Sequence, residues 1–187
     1  MKGIKKLVGA YVALVATAAL AVTAFAAEYA VVPVFSQDAS TPVSVTTEAV
    51  TEAISGSGAA TVEVKSVAQL TLNPAVLKKL DKTSGAVLQV VSPKATISID
   101  SSKITKARKV DLSMKLSNSS TKTTIKMRSK KDFGCEVKIT VTSCKLSAAQ
   151  LKTAHVYCDG EDLGAVELDE NGLPVITVTK GGTYTIQ

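Results

Sequence analysis

Six cations, Lys109, Lys115, Lys122, Lys126, Arg128 and Lys138, fall on three stretches whose apolar and polar residues alternate. On 109–117, Val110, Leu112, Met114 and Leu116 take one parity, and Lys109 and Lys115 take the other. On 121–128, Lys122, Lys126 and Arg128 share a parity. On 133–144, Phe133, Cys135, Val137, Ile139 and Val141 point one way and Lys138 the other. If the three strands pair consecutively, their polar sides merge into one positive surface. That surface holds an anionic cell-wall polymer, an acidic polysaccharide or anionic lipid by charge. The plain alternative is an ordinary solvated lysine-rich sheet face. Nucleic acid binding uses the same force, but the export signal described below makes it a poor partner.

Other chemistry is thin. His155 is the sole imidazole, and its catalytic reading is a general base beside Asp159 or Glu161. No nucleophile motif accompanies it, so an outward-facing strand residue is the better reading. The acids of 159–170 (Asp159, Glu161, Asp162, Glu167, Asp169 and Glu170) lack calcium-loop spacing and read as solvated hairpin tips. A carboxylate pair for glycoside hydrolysis would need a cleft and stacking aromatics; the chain has no Trp, four Tyr and three Phe. One His and three Cys exclude a His-rich metal site and a four-thiolate zinc site, and no motif calls for a cofactor. Cys135 and Cys158 share parity with core residues. Export permits a disulfide between them, with Cys144 left free; three unpaired thiols is an equal alternative.

The elements that position these groups follow from the 187-residue chain as a whole. Residues 1–26 read as a secretory signal peptide. Lys2, Lys5 and Lys6 precede an uncharged run, and Ala24-Phe25-Ala26, or the frame ending at Ala27, supplies the small-residue cleavage site. The mature start is then Ala27 or Glu28, and the membrane is met only transiently; the alternative is an uncleaved anchor. Removing three lysines lowers the net charge from +6 to +3. Residues 27–60 carry nine Ser or Thr among 34, with Pro33, Pro42 and Ser55-Gly56-Ser57-Gly58, which reads as a flexible linker without an internal repeat. Residues 61–187 read as one domain, a mainly β antiparallel sandwich with one or two short helices. Asn73-Pro74 opens the first helix, with Val76, Leu77 and Leu80 as its apolar stripe; Ser147 to Gln150 forms a capping box for the second. Asp159-Gly160 and Asn171-Gly172 mark hairpins.

Ala154-His155-Val156-Tyr157, Asp169-Glu170-Asn171-Gly172, Val175-Ile176-Thr177-Val178-Thr179 and Tyr184-Thr185-Ile186 follow one another as strand, hairpin, threonine-rich strand and closing strand. This order over 151–187 resembles the end of a module of secreted surface proteins from clostridia and related Gram-positive bacteria. The element order of about 66–145 is similar too. The chain departs from the module at Lys180, where a His is common, and at Cys158 and Ile176, where aromatics are common. The resemblance implies a surface-exposed, non-catalytic accessory domain and transfers no functional residue. The leading expectation is therefore a secreted, cell-wall-associated structural or adhesive module. A binding module for an anionic wall polymer or carbohydrate comes second, and a small secreted hydrolase third.

Overall fold

The computed structural model describes residues 30–33 and 43–45 as backbone, and residues 50, 52–55 and 58–187 in full. Residues 1–26, read as a signal peptide, and Ala24, Ala26 and Ala27 of its expected cleavage site lie outside the described residues. The described chain is mainly β, with strands in three sheets and short helices. The seven-stranded sheet runs β1 (Ala30–Pro33), β3 (Ala59–Glu63), β5 (Val87–Val91), β6 (Thr96–Asp100), β10 (Asp132–Thr140), β14 (Pro174–Lys180) and β13 (Glu167–Leu168). The five-stranded sheet runs β12 (Glu161–Ala165), β11 (His155–Cys158), β15 (Thr183–Ile186), β9 (Thr123–Met127) and β8 (Met114–Asn118). The third sheet is β2 (Val43–Val45), β4 (Leu70–Leu72) and β7 (Val110–Asp111). Their apolar faces share one core, with Leu72, Leu88, Ile99, Leu112, Ile125, Phe133 and Ile139 among its largest sealed side chains.

Local chemistry places the helices where the sequence expects them. Asn73 caps α1 (Pro74–Asp81) by accepting the Ala75 N–H at 2.9 Å, and Val76, Leu77 and Leu80 turn inward. In α2 (Ala148–Leu151) both arms of the Ser147–Gln150 capping box are made. Asp159 and Gly160 both take positive φ, as a two-residue hairpin turn requires.

Most of residues 27–60, read as a linker, lie outside the described residues, and the described ones form strands and a helical segment. β1, β3 and β5 pair in parallel at offsets of 30 and 28 residues, and β2 and β4 in parallel at 27. A helical segment containing residues 50 and 52–55 stands between β2 and β3, as α1 stands between β4 and β5. Each helix is followed by a glycine at φ +72, Gly58 and Gly85. This is a repeated strand–strand–helix unit, and Val50, Ala53, Ile54, Ala59 and Ala60 are buried in the common core. The folded unit therefore takes in described residues well before 61. From β5 onward neighbouring strands are antiparallel. Alternation within each short strand gave no sign of the parallel pairing, because that pairing is a property of distant segments.

Candidate anion-binding face

β8 and β9 form an antiparallel hairpin in which Met114 faces Met127, Lys115 faces Lys126 and Leu116 faces Ile125. The four apolar residues are buried, which sends Lys115 and Lys126 out together on the solvent side. Directly opposed side chains in such a pair start about 5 Å apart at Cβ, and like charges there repel. The described residues hold two ion pairs, Arg108–Asp132 and His155–Asp162, and neither reaches these lysines. Toward the sheet centre, Lys126 borders Thr183 of β15, and Thr124 borders Thr185. Tyr157 of β11 follows beside Thr185. Lys122 closes the hairpin turn, where Ser119 Oγ accepts its N–H at 3.0 Å, and Arg128 follows β9. Both are exposed and share the parity of Lys126. The face is thus a cationic ribbon, Lys115, Lys122, Lys126 and Arg128, edged by hydroxyls.

Two residues expected on this face stand elsewhere. Lys138 lies on β10, between Ser98 of β6 and Thr177 of β14, on the outer side of the seven-stranded sheet. β9 pairs with β15, not with β10. The reason is at the corners. Residues 128–131 carry the chain from the five-stranded to the seven-stranded sheet, and Gly181-Gly182 carry it back. The two corners are tied together: Gly181 N–H donates to Lys131 O at 3.1 Å, and Met127 N–H to Gly182 O at 3.0 Å. They pass so closely that a Cβ on Gly181 would run into Ser129 O. Lys109, meanwhile, sits beside Arg108 at the entry to β7, in the third sheet. The stretch 109–117 is two strands rather than one. The switch of sheets falls at Leu112 and Ser113, where buried Ser113 Oγ accepts the Leu70 N–H at 3.0 Å.

The remaining candidates also find their places. His155 Nδ1 meets Asp162 at 2.9 Å, and both side chains are about half exposed. The Gly164 N–H first, and His155 second, hold the Asp162 carboxyl below its ordinary value. Asp169 Oδ1 accepts the N–H groups of Asn171 and Leu173, so this carboxylate organises its own turn. Among the described residues, no three His, Cys, Asp or Glu side chains gather as a metal site. The Cys135–Cys158 bridge is not formed. All three thiols are free, Cys135 on the seven-stranded sheet and Cys158 on the five-stranded one. Burial pushes the Cys135 thiol up to about 11, the opposite of activation. A shallow groove of about 320 Å³ runs past Cys158, Asp159, Glu161, Thr179, Lys180 and Tyr184. Its phenol is occupied, donating to Lys180 O at 2.7 Å, and burial raises its pKa.

Alternation misses a further set of cations, Lys106, Arg108, Lys130 and Lys131, which the corners bring to one end of the sandwich. The signals in the sequence were the Arg128-Ser129-Lys130-Lys131 run and the Gly181-Gly182 pair, read together. Comparison of the chain with family models, curated proteins and solved structures finds no match.

Proposed function

We propose that this chain is a secreted, non-catalytic surface module that adheres to an anionic cell-wall polymer or polysaccharide through the β8–β9 ribbon. The observation that carries the reading is the Lys115–Lys126 pair, opposed across two strands with no carboxylate in ion-pair reach among the described residues. Isolated exposed lysines are ordinary; two facing each other, continued by Lys122 and Arg128, concentrate positive charge that an external anion relieves. The export signal and the resemblance to clostridial surface modules support the location. The hydroxyl border of Thr124, Thr183 and Thr185 suits a hydrated, polyhydroxylic ligand.

Cell-wall pull-down of the mature chain under a salt titration tests this. Retention should weaken steeply as salt rises and should fall in the Lys115→Ser/Lys126→Ser variant, while Lys138→Ser behaves as wild type. Salt-insensitive retention, equal in all three proteins, would leave a plain structural accessory and remove the charge-based role.

A further inference from the structure

The corners that divide the strands between sheets also collect charge. Arg128 N–H donates to Ser113 O at 2.8 Å, which sets the end of β9 against the sheet switch after β7. From Arg128 the chain passes directly through Lys130 and Lys131, both exposed. Beyond them, Arg108 bridges to Asp132 at 3.2 Å, and the N–H groups of Thr105 and Lys106 both donate to Gly134 O. The 105–108 loop lies so close to the start of β10 that a Cβ on Gly134 would meet Lys106 O and Arg108 Nε. These loops are stapled by backbone hydrogen bonds, so their cations are held together by the fold and not by chance of sequence.

Among the described residues Arg108 has a carboxylate partner, Asp132, and no ion pair reaches Lys106, Lys130 or Lys131. Asp132 is spoken for by Arg108 and by the Gly134 N–H at 2.7 Å, and Asp111 accepts the Ser113 N–H at 3.0 Å. Asp159, next to the Gly181-Gly182 corner, accepts the Thr183 N–H at 3.0 Å, and Lys180 faces Asp132 across β10 and β14 and lines the groove with Asp159 and Glu161, so Lys180 is left out of the set. Along β9 and its two flanking residues, Lys122 to Arg128 spans about 20 Å at the usual strand rise. Continuing round the end lengthens that run past the reach of any single anionic group.

We propose that the anion contact extends beyond the sheet face, and that Lys106, Arg108, Lys130 and Lys131 at the end of the sandwich form the second half of one cationic track for a linear polyanion. This rests on the adhesive reading of the β8–β9 ribbon and adds to it a second site and a ligand of extended shape. The track selects length: a short anion satisfies one half, and a chain of many charges engages both, with each contact releasing counterions.

The test uses the mature chain and three probes: tripolyphosphate, long-chain polyphosphate and polygalacturonate. The two polymers separate phosphate from carboxylate as the source of charge. The end variant is Lys106→Ser/Lys130→Ser/Lys131→Ser, which spares the Arg108–Asp132 bridge; an unchanged urea midpoint certifies its fold. The face variant is Lys115→Ser/Lys126→Ser. Long polymer should bind wild type far more tightly than tripolyphosphate. The end variant should lose about tenfold for the polymer and shed about 2 from the slope of log K against log salt, roughly 0.7 for each of three lost contacts. Tripolyphosphate binding should change little. If the end variant binds polymer as wild type does while the face variant fails, the extended track is overturned and the adhesive reading stands. If neither variant loses affinity, both fall. Equal binding of wild type and end variant to phosphatidylglycerol vesicles, with no polymer binding, would likewise overturn the track.

Discussion

Changing Lys115 to Glu should make the protein more stable and less adhesive at once. Lys115 and Lys126 sit directly opposite on exposed strands. With their ammonium groups about 7 Å apart in a water-like dielectric, the repulsion is about 0.6 kcal/mol. Replacing one by a carboxylate turns that into an attraction of similar size. The swing is about 1 kcal/mol before the entropy of ordering two long side chains, which leaves about 0.5–1 kcal/mol. For a domain of this size that is a rise in Tm of about 1–3 °C. Urea unfolding at low salt and at 1 M salt reads it out. The gain should largely vanish at 1 M, where the Debye length is about 3 Å. Polymer retention should meanwhile drop. A loss of stability at low salt, or a change that salt leaves untouched, would refute the opposed-pair geometry. A gain of stability with unaltered retention would refute the role assigned to the face.

Three other outcomes follow from the corners and hairpins. Ser113→Ala should cost about 1–3 kcal/mol in urea unfolding, because it strips a buried Leu70 N–H of its acceptor; a neutral result would mean that the sheet switch lies elsewhere. Gly181→Ala should cost about 2–4 kcal/mol, since the new methyl meets the backbone oxygen of Ser129, which cannot swing away; calorimetry would show it as a marked fall in Tm. Asp162 is held below its ordinary 3.8, so its contribution to the β11–β12 hairpin is present above that value and is lost as pH falls through the lower folded-state pKa. Protection of the Gly164 amide relative to its intrinsic exchange rate should fall across that window, and Asp162→Asn should abolish that change in protection.

How much of this the sequence disclosed depended on distance along the chain. α1 and α2 were legible because Asn73-Pro74 and Ser147 to Gln150 act within a few residues of themselves. The Lys115–Lys126 pairing was legible for the same reason, as one hairpin brings the two strands together. Lys138 was not. Parity assigned it to a solvent face, correctly, but the choice of sheet is made at 128–131 by contact with Gly181-Gly182, far along the chain. Most of residues 27–60 lie outside the described residues. Short β-branched pieces among Ser, Thr and Gly look like a tether, yet β1 and β2 are secured by parallel pairing with β3 and β4. Ser113 looked like a solvent-face residue and is buried, because a strand that changes sheets takes its polar side into the core at the crossing.

The most direct measurement is an NMR titration of the uniformly labelled chain from Ala27 onward with long-chain polyphosphate at low salt. The account predicts that amide shifts concentrate at 115–117 and 122–131, extend to 105–108, and leave Ser98, Lys138 and Thr177 on the opposite sheet unmoved. Shifts centred on Lys138 and its neighbours, or none anywhere on the molecule, would contradict it.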